Sequence, residues 1–373
     1  MKIASISAQI LELPVARPHK LAMATINQHS LVLVRVRLES GVQGLGEIAI
    51  IPHYGEEAPA AIKAIIDETL APHLIGVDAS RLEQLLVRMD KVIKGNGYAK
   101  AGIEMACVDA YAKSLGVPAS ALFGGVVHDR LPVLWVLGNG QVGPDVDEAE
   151  QRLAMRTHRL FLVKIGHGDP AENVARALAV KKALGDRASV RVDVNQGWDE
   201  STACWGIARL QAGGIDVIEQ PVPRWNIGAM RRLTEKFDVP IMADEAVVTQ
   251  EDAMQFARDA AADAFSIKVT KHGGLVRTKR VAAIAEAAGI SLFGGTMIEG
   301  QIGTSACAQI FATLPRLAWG CQLFGPQLLT DDVAAAPVVR YEEFELLVPD
   351  KPGFGVELDE DKVRFHSRAS AHA

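Results

Sequence analysis

No stretch of this 373-residue sequence holds the ~18 uninterrupted apolar residues that a membrane-spanning helix requires, so a membrane partner is not expected. The amino terminus, Met1 to Pro14, has one lysine and only a short, interrupted apolar stretch, and so lacks the continuous core of a signal peptide. Cysteine is scarce and scattered. Cys107, Cys204, Cys307 and Cys321 show no C-x-x-C spacing, which suggests neither a disulfide framework nor a zinc site. Positive charge is not in excess either. The formal net charge is −6 with both signs interspersed, leaving no basic stripe to neutralise phosphates, so nucleic acid is not an expected partner. These absences leave a cytoplasmic protein with a small-molecule ligand.

What is present is an ordinary globular composition, 49% hydrophobic and 23% charged, with 33 glycines and 17 prolines. Single cores stop growing at roughly 250–300 residues, so a large domain with a smaller attachment is expected. Apolar and polar residues alternate in Ile3 to Leu13 and Leu31 to Leu38, and the Gly41-Val-Gln-Gly-Leu-Gly46 turn follows, which reads as an antiparallel meander. Ala58 to Leu70, Ser80 to Val92 and Ala99 to Leu115 then carry helical periods, with Gly116-Val-Pro118 as a stop signal. Residues 1–130 thus form an α+β module. From about Leu131 short β-rich runs alternate with helical stretches, the pattern of parallel βαβ units: 161–165, 189–194, 215–219, 240–243, 264–268 and 290–293. The fold class is α/β, a modified (β/α)8-type barrel over 131–340 with an α+β capping domain.

Four of these runs end in a charged residue at regular spacing. Asp193 to Glu219 is 26 residues, Glu219 to Asp244 is 25 and Asp244 to Lys268 is 24, while Lys164 ends the run before Asp193. One strand, one helix and two loops need about that length. Equivalent strand ends lie side by side in a barrel, so these side chains converge at its carboxyl-terminal mouth. Three converging carboxylates repel one another unless a positive charge lies between them. A hard dication answers that need, and oxygen-only ligands suit Mg²⁺ or Mn²⁺. Lys164 and Lys268 would then face each other across the metal, with pKa values lowered toward those of proton-transfer groups. Lys271, in the Lys271-His-Gly-Gly274 turn, is expected to point to solvent.

Several runs resemble a known family. They are Val192-Asp-Val-Asn-Gln-Gly-Trp-Asp199, Ile218-Glu-Gln-Pro221, Met242-Ala-Asp-Glu245, Ile267-Lys-Val-Thr-Lys-His-Gly-Gly274 and Gly294-Gly-Thr-Met-Ile-Glu-Gly-Gln-Ile-Gly303. Arg17 to Met23, Lys94 to Glu104 and Leu323-Phe-Gly-Pro326 extend the likeness over nearly the whole chain. The sequence resembles the enolase superfamily in its muconate lactonizing subgroup, and within it the muconate and chloromuconate cycloisomerases. The resemblance implies a cap completed by a carboxyl-terminal segment, about 341–373, and a large homo-oligomer, with an octamer as the expected size. It implies that Asp193, Glu219 and Asp244 hold one dication, Mn²⁺ or Mg²⁺, which stabilises an enolate by neutralising charge. It matches Lys164 and Lys268 to acid/base lysines on opposite faces of a small dicarboxylate. One carboxylate of cis,cis-muconate would add to a double bond, and a lysine would protonate the enolate carbon to give the lactone. Lys164 is the first choice for that acid and Lys268 the second. Asn195 and Glu299 are assigned to the surroundings of metal and substrate, and Glu245 to the electrostatic orientation of Lys268.

Two departures stand out. Leu162 occupies the outer position of the family's Lys-x-Lys, which makes a racemase or epimerase less comfortable, and Gln322 stands where muconate enzymes carry glutamate. Specificity is expected in two loops of the cap, Arg17 to Thr25 and Ile51 to Glu57. There Lys20 would take a distal carboxylate, Tyr54 would form a wall, and His53 is a weaker candidate base. Glu104, mid-helix, is expected to meet a backbone or arginine partner. The alternatives are another subgroup enzyme, a dipeptide epimerase or o-succinylbenzoate synthase, and a non-catalytic carboxylate-binding barrel.

Overall fold

The computed structural model describes residues 1–20, 25–51, 54, 55 and 57–370, and side chains outside 17–27 and 368–370. Three antiparallel strands open the chain in the order β1 (Ile3–Lys20), β2 (Thr25–Leu38), β3 (Gln43–Ile50). As the central strand, β2 is covered on both faces, and Leu31, Val32, Leu33 and Val34 are all buried. The β1–β2 pairing continues past the alternating run as far as Lys20 opposite Thr25. Strand backbone thus takes both ends of the stretch that the sequence pattern reads as a loop.

Helical turns follow: α1 (Pro59–Ala64), a π-helical Ile65–Leu70 and α2 (Ala71–Leu74), then α3 (Leu82–Val92) and α4 (Gly97–Leu115). Nearly every residue of α4 from Tyr98 to Ala112 is buried. A helix buried on every face must be covered on every face, and α4 packs on β3 on one side and on the barrel segment 269–272 on the other. Its approach to β3 is too close for side chains. A Cβ at Gly44 would stand 1.9 Å from the Ala106 carbonyl oxygen, and one at Gly46 would stand 2.1 Å from that of Gly102. These two glycines, expected in a turn, are therefore strand residues whose missing side chains let the helix dock.

After β4 (Arg130–Pro132) come seven parallel strands, each bonded to the next in chain order. They are β5 (Leu134–Leu137), β6 (Leu160–Lys164), β7 (Ser189–Asp193), β8 (Ile218–Glu219), β9 (Ile241–Ala243), β10 (Ala264–Ile267) and β11 (Ser291–Gly294). The ring closes through the short segment 319–322, in which Cys321 makes parallel bridges to both Val133 and Gly294. Outer helices α5 (Val142–Ala154), α6 (Pro170–Leu184), α7 (Glu200–Ala212), α8 (Ile227–Lys236) and α9 (Gln250–Asp259) connect the strands up to β10. The short α10 (Val269–His272) precedes α11 (Leu275–Ala287), and α12 (Gln301–Phe311) follows β11. Past α13 (Gly325–Leu328), strands β12 (Arg340–Glu342) and β13 (Glu345–Leu347) pair in turn with β4. The last helix, α14 (Glu360–Ser370), lies on β1. Among the described residues no helix is long and apolar enough to cross a membrane.

Gly46→Ala should lower the free energy of unfolding by about 1–3 kcal/mol, because neither backbone can yield 2 Å without repacking. Urea denaturation followed by circular dichroism measures it. An unchanged midpoint would mean that the helix has room to move.

Candidate active site

Parallel register places the charged strand ends side by side. Lys164 pairs with Asp193 and Asp193 with Glu219, while Asp244 and Lys268 directly follow β9 and β10. All three carboxylates are buried. Lys164 Nζ donates to Asp193 and, at 3.2 Å, to Asn195 Oδ1. Lys268 Nζ donates to Asp244 Oδ2 at 2.6 Å and lies 3.9 Å from the Tyr54 ring centroid, while the Tyr54 hydroxyl donates to Asp244 Oδ1 at 2.8 Å. The carboxylate of Glu219, midway along the ladder, takes no hydrogen bond or ion pair from a described residue.

Charge follows from these contacts. Burial raises Glu219 well above the carboxylate range, and the negative charges of Asp193 and Asp244 add to the rise. Burial would raise Asp244 too, but the ammonium groups of Lys268 and Lys271 outweigh it and hold the acid below its ordinary value. Glu245 is raised to about 7, by burial first and then by Asp244 and Asp193. For Lys164, burial alone would lower the pKa. Asp193 and Glu219 reverse that, so among protein groups alone this lysine sits above its usual value, opposite to the direction expected beside a dication.

The expected residues do not all come together. Lys164, Asp193, Asn195, Glu219, Lys268 and Gln322 line one cavity of about 30 Å³. Tyr54 is there too, bound to the ladder rather than serving only as a wall. Ile51, Thr296, Met297, Ile298 and Phe324 complete the lining, and the sequence pattern did not single them out. Ile298 holds φ +68°, a left-handed backbone that costs a β-branched residue of the order of 1–3 kcal/mol. The Ile298 N–H donates to the Thr296 hydroxyl at 2.9 Å. The turn lies inside the family-resembling run Gly294 to Gly303, but nothing there marked its left-handed backbone.

Other residues lie elsewhere. Glu299 is buried but takes the Thr296 hydroxyl and the Met297 N–H, so its carboxylate braces the turn instead of facing the cavity. The Glu245 carboxylate accepts from Asn195 Nδ2 at 3.1 Å, and Lys268 bonds Asp244 instead. Lys271 contradicts its expected exposure: it is 3% exposed and bonded to Asp244 and Ser266. The short helix α10 turns it inward. Glu104 accepts the N–H groups of Leu275 and Val276 at the start of α11, the backbone partner anticipated for it. The Lys20 side chain and His53 lie outside the described residues.

Among the described residues, no three His, Cys, Asp or Glu side chains form a ready-made cage for an ion. Asp193 and Asp244 are each engaged in ion pairs with lysines, while Glu219 stays unpartnered. An all-oxygen set with one buried acid lacking a donor fits a hard cation.

Comparison with known proteins decides the family. Residues 145–362 match the model described as enolase C-terminal domain-like, and residues 5–124 match the mandelate racemase / muconate lactonizing enzyme N-terminal domain. The chain belongs to this enolase-superfamily family. Muconate cycloisomerase 1 of Pseudomonas putida is 48% identical over 360 residues, 96% of either chain. Chloromuconate cycloisomerase of Pseudomonas sp. (strain P51) is 45% identical over 372 residues, 99% of this chain and 100% of that one. A crystal structure of muconate lactonizing enzyme from Pseudomonas fluorescens complexed with muconolactone superposes with TM-score 0.96 at 50% identity, covering 98% of this chain and 99% of that one. Members of the family use a divalent metal, in accord with the oxygen donors in this family member.

Glu104 generates a pH prediction. Burial raises it from 4.5 to about 7, against the lowering effect of its two N–H donors. An acid whose folded pKa exceeds its unfolded pKa makes the native state bind the extra proton, so its contribution to stability falls as pH rises through that window. Glu104→Gln cannot titrate. The stability difference, wild type minus variant, should drop by about 3 kcal/mol between pH 4.5 and pH 7.5 in urea titrations. Parallel curves would show that Glu104 does not change charge there.

Proposed function

We propose that this chain is a cycloisomerase that closes cis,cis-muconate, or a chlorinated muconate, to its lactone. The observation that carries the reading is the bracketing of the acid ladder by Lys164 and Lys268, in a chain 45–48% identical over nearly its full length to cycloisomerases of both kinds. Asp193, Glu219 and Asp244 would hold one Mn²⁺ or Mg²⁺. When bound, the cation supplies positive charge beside one substrate carboxylate and the electron density that builds next to it.

The protein's own groups do the rest. Phe324, Ile51 and Ile298 offer apolar surface to the carbon chain, and the Gln322 amide offers both a donor and an acceptor to a carboxylate without adding charge. Lys164 carries the proton. Its Nζ is held by Asp193 and Asn195, and the neighbour two residues back on the same strand face, Leu162, is apolar and buried, so no second ammonium pushes the proton off. A lysine so placed is protonated at neutral pH and serves as an acid, delivering a proton from Nζ to the electron-rich carbon beside the first carboxylate. An epimerase needs a lysine that also takes a proton from carbon, and Leu162 weighs against that alternative. Lys268 attends the opposite face. In this reading residues 1–130, with the segment from about 341, act as the cap over the barrel of 131–340, and the protein works as a homo-oligomer.

Turnover is read as the metal-dependent fall in the ultraviolet absorbance of muconate. A chelator should abolish it and Mn²⁺ should restore it, and no turnover on muconate or its chloro derivatives would end the proposal. Lys164→Ala should lower kcat by about 10³-fold or more while binding Mn²⁺ as wild type does. An active variant would transfer the acid role to Lys268.

A further inference from the structure

Three lysines stand at the ladder, and their hydrogen bonds differ in kind. Lys164 and Lys268 line the cavity, whereas Lys271 lies behind Asp244. An ammonium has three N–H donors. Those of Lys271 reach the Asp244 carbonyl oxygen at 2.7 Å, Asp244 Oδ1 at 2.8 Å and the Ser266 carbonyl oxygen at 2.7 Å. Two of the three acceptors are main-chain oxygens, one on β10 and one just past β9, so this ammonium stitches neighbouring strand ends together. Lys268 has one hydrogen bond among the described residues, to Asp244 Oδ2 at 2.6 Å, and its ammonium otherwise rests on the Tyr54 ring.

The turn that carries Lys271 is seated from the cap. Glu104 of α4 accepts the Leu275 and Val276 N–H groups, and a Cβ on Gly274 would meet its Oε2 at 2.0 Å, so glycine is required at that left-handed position (φ +125°). A cap helix, the turn and the Asp244 carboxylate therefore form one continuous chain of contacts.

We propose that Lys271 is a positioning residue. Its saturated ammonium fixes Asp244 through Oδ1 and the main chain, which leaves Oδ2 for the cation and Lys268 as the lysine that moves aside. The inference rests on the reading of Asp244 as a cation ligand. Loss of such an outer support typically weakens metal binding 10–100-fold, and geometry rather than charge is what Lys271 supplies. Removing a mere positive charge would tighten the binding of a dication.

Mn²⁺ titration followed by electron paramagnetic resonance separates these cases. Wild-type protein should bind Mn²⁺ and Asp244→Asn should not. If Asp244→Asn binds as wild type does, the ligand reading itself has failed. With that control in hand, Lys271→Met should bind Mn²⁺ about 10–100-fold more weakly, and Lys271→Arg should stay weak although it keeps the charge, since a planar guanidinium cannot aim three donors from one atom. Wild-type or tighter affinity in either variant overturns the proposal. Should the variants fail to fold, acetylation of wild-type lysines read by mass spectrometry decides: with Mg²⁺ added, Lys268 should label faster and Lys271 should stay unlabelled. Labelling of Lys271, or no change at Lys268, overturns it.

Discussion

Repulsion among carboxylates buried at neighbouring strand ends is the constraint around which the barrel mouth is built. Asp193, Glu219, Asp244 and Glu245 lie within a few residues of one another in register, all buried. In a medium of low dielectric such a group would resist ionisation. Three ammonium groups answer it, but unevenly. Lys164 serves Asp193, Lys268 and Lys271 serve Asp244, and neither Glu219 nor Glu245 has one. With every group charged, four acids face three bases. Of the two unpaired acids Glu245 has the Asn195 amide, whereas Glu219 lines the cavity with no donor, which makes the cavity the place where a dication is favoured.

The cap is coupled to this charge pattern by two more buried acids. Glu104 takes the first N–H groups of α11. Glu47 on β3 takes those of Gly300 and Gly303 at the start of α12, where Asp332 adds the Gln301 N–H. Helix N-termini leave N–H groups without partners and carry partial positive charge, so a carboxylate from another part of the fold is held there firmly. Both helices begin just after loops of the site, the Lys268–Gly274 turn and the 296–300 turn. Docking of the cap thereby fixes the backbone that presents Lys268, Lys271 and Ile298.

How much of this was legible depended on periodicity. The ladder was readable because strand, loop and helix lengths repeat, so three acids and two lysines fall into register without knowledge of contacts. The cap helices were readable from their apolar period. What escaped rested on one-residue geometry. Lys271, three positions past Lys268, appeared to lie in an exposed turn, but α10 coils that turn back under Asp244. Gly44 and Gly46 read as turn glycines because sequence does not say that α4 lies within 2 Å of where their side chains would be. Closure of the barrel rests on the short backbone segment 319–322, too short a strand to leave a pattern. The role of Glu299 within its own turn was equally hidden, since a carboxylate facing a cavity and one capping a nearby N–H read alike.

The size of the cavity adds a last constraint. A cavity of about 30 Å³ has room for roughly two water molecules, far less than a six-carbon dicarboxylate occupies. Whatever fills this site must therefore part contacts that now span it. The apolar lining has little to give, because Phe324 and Ile298 are buried in the barrel wall and the 296–299 turn is braced by Glu299. Lys271 is held by three acceptors. The pairs that can yield are those with one bond each, Lys268 to Asp244 and the Tyr54 hydroxyl to Asp244. Both end on the same carboxylate, and a second cavity of about 180 Å³ lies on the far side of Tyr54. A cation drawing charge from Asp244 would weaken both bonds at once, so occupation of the ladder and release of the wall beside it are driven by the same electrostatic change.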